Sequence, residues 1–152
     1  MRSTWGKLDN VIKDMDERET PVTFLTELWE KKCSVKHQKR IEKVSELNGI
    51  GYMSCPRQGR RRGGGCGLIF KKDKISITKA PVEVPRNLEV FWAVMRVLNQ
   101  GKNPLKLIIC CFYSPPNSKQ KTSLINHIQI EYSKLKKSLP TAGTVILGDK
   151  ND

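Results

Sequence analysis

The chain is poor in the residue patterns on which metal-binding and secreted proteins depend. Its five cysteines (Cys33, Cys55, Cys66, Cys110 and Cys111) form no Cys-x-x-Cys pair, and its two histidines, His37 and His127, stand in no ligand spacing. That argues against zinc. The count is odd, and the adjacent Cys110 and Cys111 would point to opposite faces of a strand, so reduced buried thiols are expected rather than disulfides. No apolar run is long enough to cross a bilayer, and Met1-Arg2 leads into polar sequence rather than a hydrophobic leader. These absences describe a soluble intracellular chain, nuclear or cytoplasmic, with no membrane and no zinc partner. Acidic residues are scarce as well: 15 Asp and Glu against 28 Lys and Arg leave a net charge of +13 and a pI near 9.7. Such an excess suits a nucleic acid, and about equally an acidic surface or a ribosomal or chromatin-type binder. It does not identify a reaction. No internal repeat is visible, and the only biased tract is RRRGGG.

What the chain does contain is a set of short apolar runs. Its 152 residues, 38% of them hydrophobic, fit one domain with a real core. Trp5, Leu8, Val11, Ile12 and Met15 recur at helical spacing after a cap at Ser3 or Thr4, and this helix should end by residues 18–21. Residues 22–26 read as a strand delivering Glu27 beside Trp29. A second helix is expected over 35–47, with Ile41, Val44 and Leu47 as its apolar stripe and Asn48-Gly49 as its stop. Residues 50–54 read as a strand, 66–71 and 75–80 as a hairpin around Lys72-Asp73-Lys74, and 88–98 and 105–113 as another. A long helix over 119–139, with Leu124, Ile128, Tyr132, Leu135 and Leu139 on one side, precedes a buried strand at 144–147. The order describes a mixed α/β arrangement.

Two of these strands end in residues suited to chemistry. LKLIICCFYSPPNS hands over Tyr113, Ser114 and Asn117 around a rigid Pro115-Pro116 turn, and TVILGDKND hands over Asp149, Asn151 and Asp152 just past Gly148. On a strand end, Asp149 and Asn151 would point the same way. Taken alone, Glu27 is better explained as a polar strand end, Gly-Asp is common as an ordinary turn, and a tyrosine such as Tyr113 is more often an amphipathic strand end. The loop holding Arg57, Arg60, Arg61 and Arg62 has three readings: phosphate contact, a nuclear-localisation-like patch, or a solvated loop whose glycines lead into the next strand.

The Tyr-x-Pro-Pro-Asn-Ser turn followed by a strand ending Leu-Gly-Asp-x-Asn resembles the endonuclease/exonuclease/phosphatase (DNase I-like) superfamily, and most closely the endonuclease domain of non-LTR, LINE-type retrotransposons. MRSTWGKLDNVI, FLTELW, RRRGGGCGLIF and EVFWAVMRV follow the same order. The resemblance implies an α/β (α+β) fold, a four-layer sandwich of two mixed sheets flanked by helices, here incomplete. It implies Glu27 as the ligand of Mg2+ or Mn2+, Asp149 as the residue orienting the attacking water, Asn151 and Tyr113 as donors to the phosphate, and Asn117 at the rim. DNA is the implied substrate, with a fused reverse transcriptase domain in the full-length parent. Lys150 departs from the pattern, standing where the family usually has a large apolar residue.

Two parts of the family pattern lie outside the chain: the first strand with its asparagine, and the C-terminal Ser-Asp-His that supplies the acid-base pair. Neither His37 nor His127 replaces that histidine by position. The expectation is therefore a truncated, catalytically incomplete endonuclease with strand edges that favour aggregation. The alternatives are another phosphoesterase of the same superfamily, or a non-catalytic basic nucleic-acid-binding module.

Overall fold

The structure, a computed structural model, describes residues 5–26, 28, 43–44, 46–47, 49–56, 64–98, 101–116 and 119–150. The elements are α1 (Trp5–Glu17), β1 (Val22–Thr26), β2 (Ile50–Cys55), β3 (Cys66–Lys71), β4 (Ile75–Lys79), β5 (Glu89–Val97), β6 (Lys106–Ser114), α2 (Lys121–Ser138) and β7 (Gly143–Lys150). One sheet has the order β1-β3-β2 and the other β4-β5-β6-β7. Every pairing is antiparallel except β6 with β7, which are parallel. A parallel neighbour needs a crossover, and α2 supplies it.

Alternation along the strands sorts their side chains into layers. In β3, Cys66, Leu68 and Phe70 face the second sheet, while Ile69 turns to the other side, where Leu8, Ile12 and Met15 of α1 cover it. In β5, Phe91, Ala93 and Met95 meet β3, while Val90 and Trp92 face α2. β6 repeats the arrangement: Ile109 and Cys111 point between the sheets, Ile108 and Cys110 towards Leu124 and Leu135 of α2. A strand covered on both faces reads as a continuous apolar run, which is why LIICC shows no polar alternation. The adjacent thiols Cys110 and Cys111 enter different cores, both free. The result is the expected α+β sandwich: helix, sheet, sheet, helix.

Three expectations change. Residues 66–71 and 75–79 are strands, but they do not form a hairpin. β3 pairs with β1 and β2 while β4 pairs with β5, so Lys72–Lys74 carries the chain from one sheet to the other. Lys74 N–H closes the turn on Lys71 O at 3.1 Å, and Leu98 N–H donates to Lys74 O at 2.8 Å. The turn arches because Phe70 and Ile75 both enter the core between the sheets. The expected buried strand at 144–147 is the outermost of its sheet among the described residues: Val145 packs inward, but Ile146 and Leu147 remain 44% and 39% exposed. Of the expected helix at 35–47, residues 43, 44, 46 and 47 are helical; Val44 packs beside α1, whereas Leu47 lies in solvent, 75% exposed, because it falls off the face that α1 covers. The cap at Ser3 or Thr4 lies outside the described residues.

Candidate active site

Strand register assembles a row of polar side chains at one end of the second sheet. Glu89, the first residue of β5, pairs with Tyr113 near the end of β6, and Tyr113 pairs with Asp149 near the end of β7. Residues directly opposite share a face, so the three form one row across three strands. The face is the inner one. Glu89 is two residues from Phe91, Tyr113 two from Cys111 and Asp149 four from Val145, and all three of those apolar side chains lie in the core between the sheets. The row thus continues that core outward to the rim, where β6 and β7 stop.

Gly148 sets the approach of β7. It pairs with Phe112, and a methyl group there would sit 2.5 Å from the Phe112 carbonyl oxygen and 2.6 Å from its ring. Only a residue without a side chain lets β7 lie this close, which holds Asp149 beside Tyr113. Tyr113 is buried and Asp149 half-buried.

The first sheet closes the row from the other side. Gly64 and Gly65 have φ of +91° and +84°, a conformation that side chains disfavour, and they lead into β3 past Glu89. Gly65 N–H donates to Glu89 Oε2 at 2.8 Å, and a methyl group on Gly64 would lie 2.7 Å from the same oxygen and 3.3 Å from Tyr113 Cε1. Glu89 is only 8% exposed, and a buried carboxylate requires such donors. Gly64 and Gly65 lead the chain into β3, as one of the three readings of the loop has it, and they also cradle a carboxylate.

Glu27, Asn117, Asn151, Arg57, Arg60, Arg61 and Arg62 lie outside the described residues, as does the side chain of Lys150. Thr26 pairs with Cys66, and Leu28 N–H donates to Gly65 O at 3.4 Å. Tyr113 and Asp149 are thus brought together, and Glu89 joins them. Sequence reasoning missed Glu89. Its parity with Phe91, Ala93 and Met95 puts it on the inner face only once those residues are known to face the core.

His127 takes no part in this row. It sits on α2, across the second sheet, where its Nε2 accepts a hydrogen bond from Trp92 Nε1 at 3.3 Å. Burial holds its pKa below the ordinary imidazole value, in keeping with a neutral acceptor. No group of three His, Cys, Asp or Glu residues is assembled for a metal among the described residues. The donors in the row are oxygens, carboxylate and phenol, which suit a hard divalent cation. Among the described residues no helix is long and apolar enough to cross a membrane.

No family model and no curated protein matches the sequence. Solved structures do match the fold. ANGEL2, described as a 2',3'-cyclic phosphatase, superposes with a TM-score of 0.60 at 19% identity, over 93% of this chain and 42% of its own. An endonuclease/exonuclease/phosphatase family protein from Bacteroides thetaiotaomicron gives 0.58 at 16% identity, over 95% and 55%. The endonuclease domain of TRAS1, a telomere-specific non-LTR retrotransposon, gives 0.57 at 11% identity, over 93% and 52%. The chain spans about half the length of these relatives. Two face-to-face sheets between outer helices, matched along nearly the whole chain, show that it has the fold of the endonuclease/exonuclease/phosphatase proteins.

Proposed function

We propose that the chain belongs to the endonuclease/exonuclease/phosphatase family and is part of a DNA endonuclease of the non-LTR retrotransposon type, dependent on Mg2+ or Mn2+. The observation that supports this reading is the register pairing of Tyr113 with Asp149 at neighbouring strand ends on the inner face. Phosphodiester hydrolysis needs a positioned water and donors for charge developing on the phosphate. In this reading the Asp149 carboxylate accepts a hydrogen bond from the attacking water, and the Tyr113 phenol donates to a non-bridging phosphate oxygen. The Asn151 amide donates to the same phosphate, and Glu27 holds the cation. The bound cation supplies neutralisation of the non-bridging oxygens. Asn117 and the arginines at 57, 60, 61 and 62 contact the nucleic-acid backbone.

Proton delivery to the leaving oxygen is the step for which these residues offer no group. His127 is committed to Trp92 on the far face of the sheet. A missing acid-base group costs about a hundred- to ten-thousandfold in rate. This polypeptide on its own is therefore expected to nick DNA slowly or not at all.

Nicking of supercoiled plasmid with magnesium tests the proposal, comparing this chain, a version extended at both ends in its reading frame, and the extended version carrying Asp149→Asn. Nicking by the extended version that Asp149→Asn abolishes is the expected result. Equal nicking with and without the substitution removes Asp149 from the site. The second reading, a non-catalytic basic nucleic-acid module, is favoured by the charge of +13. It requires binding that falls steeply with salt and ignores magnesium, with no nicking by either version.

A further inference from the structure

Two thiols face each other where the first sheet meets the start of β5. Cys55 ends β2 and Cys66 begins β3, and they are direct partners in the antiparallel register. Direct partners share a face, with Cα atoms about 4.5 or 5.5 Å apart, inside the span of about 4.4–6.8 Å that a disulfide bridges. Both are free thiols, and they differ in access: Cys66 is fully buried, whereas Cys55 alone among the described cysteines is only partly so.

The Cys66 thiol lies 3.3 Å from the Cys111 carbonyl oxygen and 3.9 Å from that of Glu89, and it also hydrogen-bonds the Cys55 sulfur. Cys55 lies 3.8 Å from the Pro56 carbonyl oxygen, and its sulfur also accepts from Val90 N–H. The hydrogen bond from Cys66 outweighs burial and holds the Cys55 pKa below the ordinary thiol value, while its neighbours push that of Cys66 well up. One thiol is thus partly accessible with its pKa lowered, and the other is held protonated beside it.

We propose that Cys55 and Cys66 are a peroxide-sensitive pair, Cys55 being the site of oxidation and Cys66 the thiol that closes a disulfide between β2 and β3. The Cys55 thiolate attacks one oxygen of hydrogen peroxide, the O–O bond breaks, and Cys55 becomes a sulfenic acid as the departing hydroxide takes a proton to form water. Cys66 then attacks the sulfenic sulfur, its proton joins the leaving hydroxyl as a second water, and the S–S bond forms. Two thiols and one peroxide give one disulfide and two waters. The link also removes the Cys66 S–H that reaches the carbonyls of Cys111 and Glu89, and so bears on the segment that carries Gly65 past the Glu89 carboxylate.

The test is to treat the folded chain with hydrogen peroxide, alkylate the remaining thiols, and map the peptides by mass. The expected product is a Cys55–Cys66 crosslink that dithiothreitol reverses, with Cys110 alkylated only after unfolding. Cys66→Ser should leave Cys55 as a sulfenic acid that dimedone traps, and Cys55→Ser should give neither crosslink nor adduct. Full alkylation of Cys55 and Cys66 after peroxide overturns the proposal, and so does a crosslink joining Cys55 to Cys33 or Cys66 to Cys111. The wild-type map decides the matter even if a serine variant fails to fold.

Discussion

Gly64 shows how little room surrounds the polar row. An alanine there would be strained at φ +91° and would press within 2.7 Å of Glu89 Oε2, so Gly64→Ala should destabilise the fold by about 1–3 kcal/mol, read as a lower urea midpoint. Glu89→Gln keeps the volume but weakens the charge-assisted bond from Gly65 N–H, an expected loss of about 1.5–3 kcal/mol in the same measurement. Asp149→Asn should behave differently, leaving stability within about 0.5 kcal/mol because the side chain is half-exposed at a strand end, while abolishing nicking by an extended version. Tyr113 and Asp149 could be singled out from sequence because each follows an apolar run and breaks it with a polar group. Glu89 could not. It opens a strand, where a charged residue is ordinary, and its burial depends on Gly65 from another sheet, 24 residues away in the chain.

Within the apolar layer between helix α2 and the second sheet lies a polar contact. The Trp92 indole donates to His127 Nε2, and the rings meet edge to face with centroids 6.3 Å apart. Protonating Nε2 removes the acceptor. His127 has a folded pKa below its unfolded value near 6.5, so its contribution to stability is complete above about pH 6.5 and is lost as the pH falls through the lower folded value. The urea midpoint should therefore drop between neutral and mildly acidic pH, and His127→Gln, whose amide oxygen accepts at any pH, should flatten that part of the curve. On the same layer, Trp92→Ala should cost about 3–5 kcal/mol, since the indole is fully buried. Most elements were legible from their spacing: α1, β1, β3, β5, β6 and α2 lie within a few residues of expectation. The pairing at Lys72–Lys74 was not, because a short polar turn between two alternating runs looks the same whether the chain returns to its own sheet or crosses to the facing one.

The whole chain is a cation, and the charge is not confined to the arginine loop. Arg96, Lys102 and Lys106 line one concavity of about 640 Å³, and Lys71, Lys72 and Lys74 line another with Asp16 and Asp73. DNA affinity should fall with salt along a log–log line, and each arginine among 57, 60, 61 and 62 that neutralises a phosphate should contribute about 0.9 to its slope, which titrations of Arg→Gln variants can read. An unchanged slope in all four would move phosphate contact to the other cationic surfaces. Local patterning was enough to establish that this is a basic chain of mixed helices and apolar strands, two of which carry Tyr113 and Asp149 near their ends. Periodicity acts between near neighbours, so it marks which residues point the same way within one run. The division into two sheets, the exposed outer position of β7, and the row of Glu89, Tyr113 and Asp149 depend on register between strands far apart in the chain. Burying Phe70, Phe91 and Ile109 together between the sheets fixes which face each strand turns inward, and the register between strands then sets Glu89, Tyr113 and Asp149 side by side at the rim.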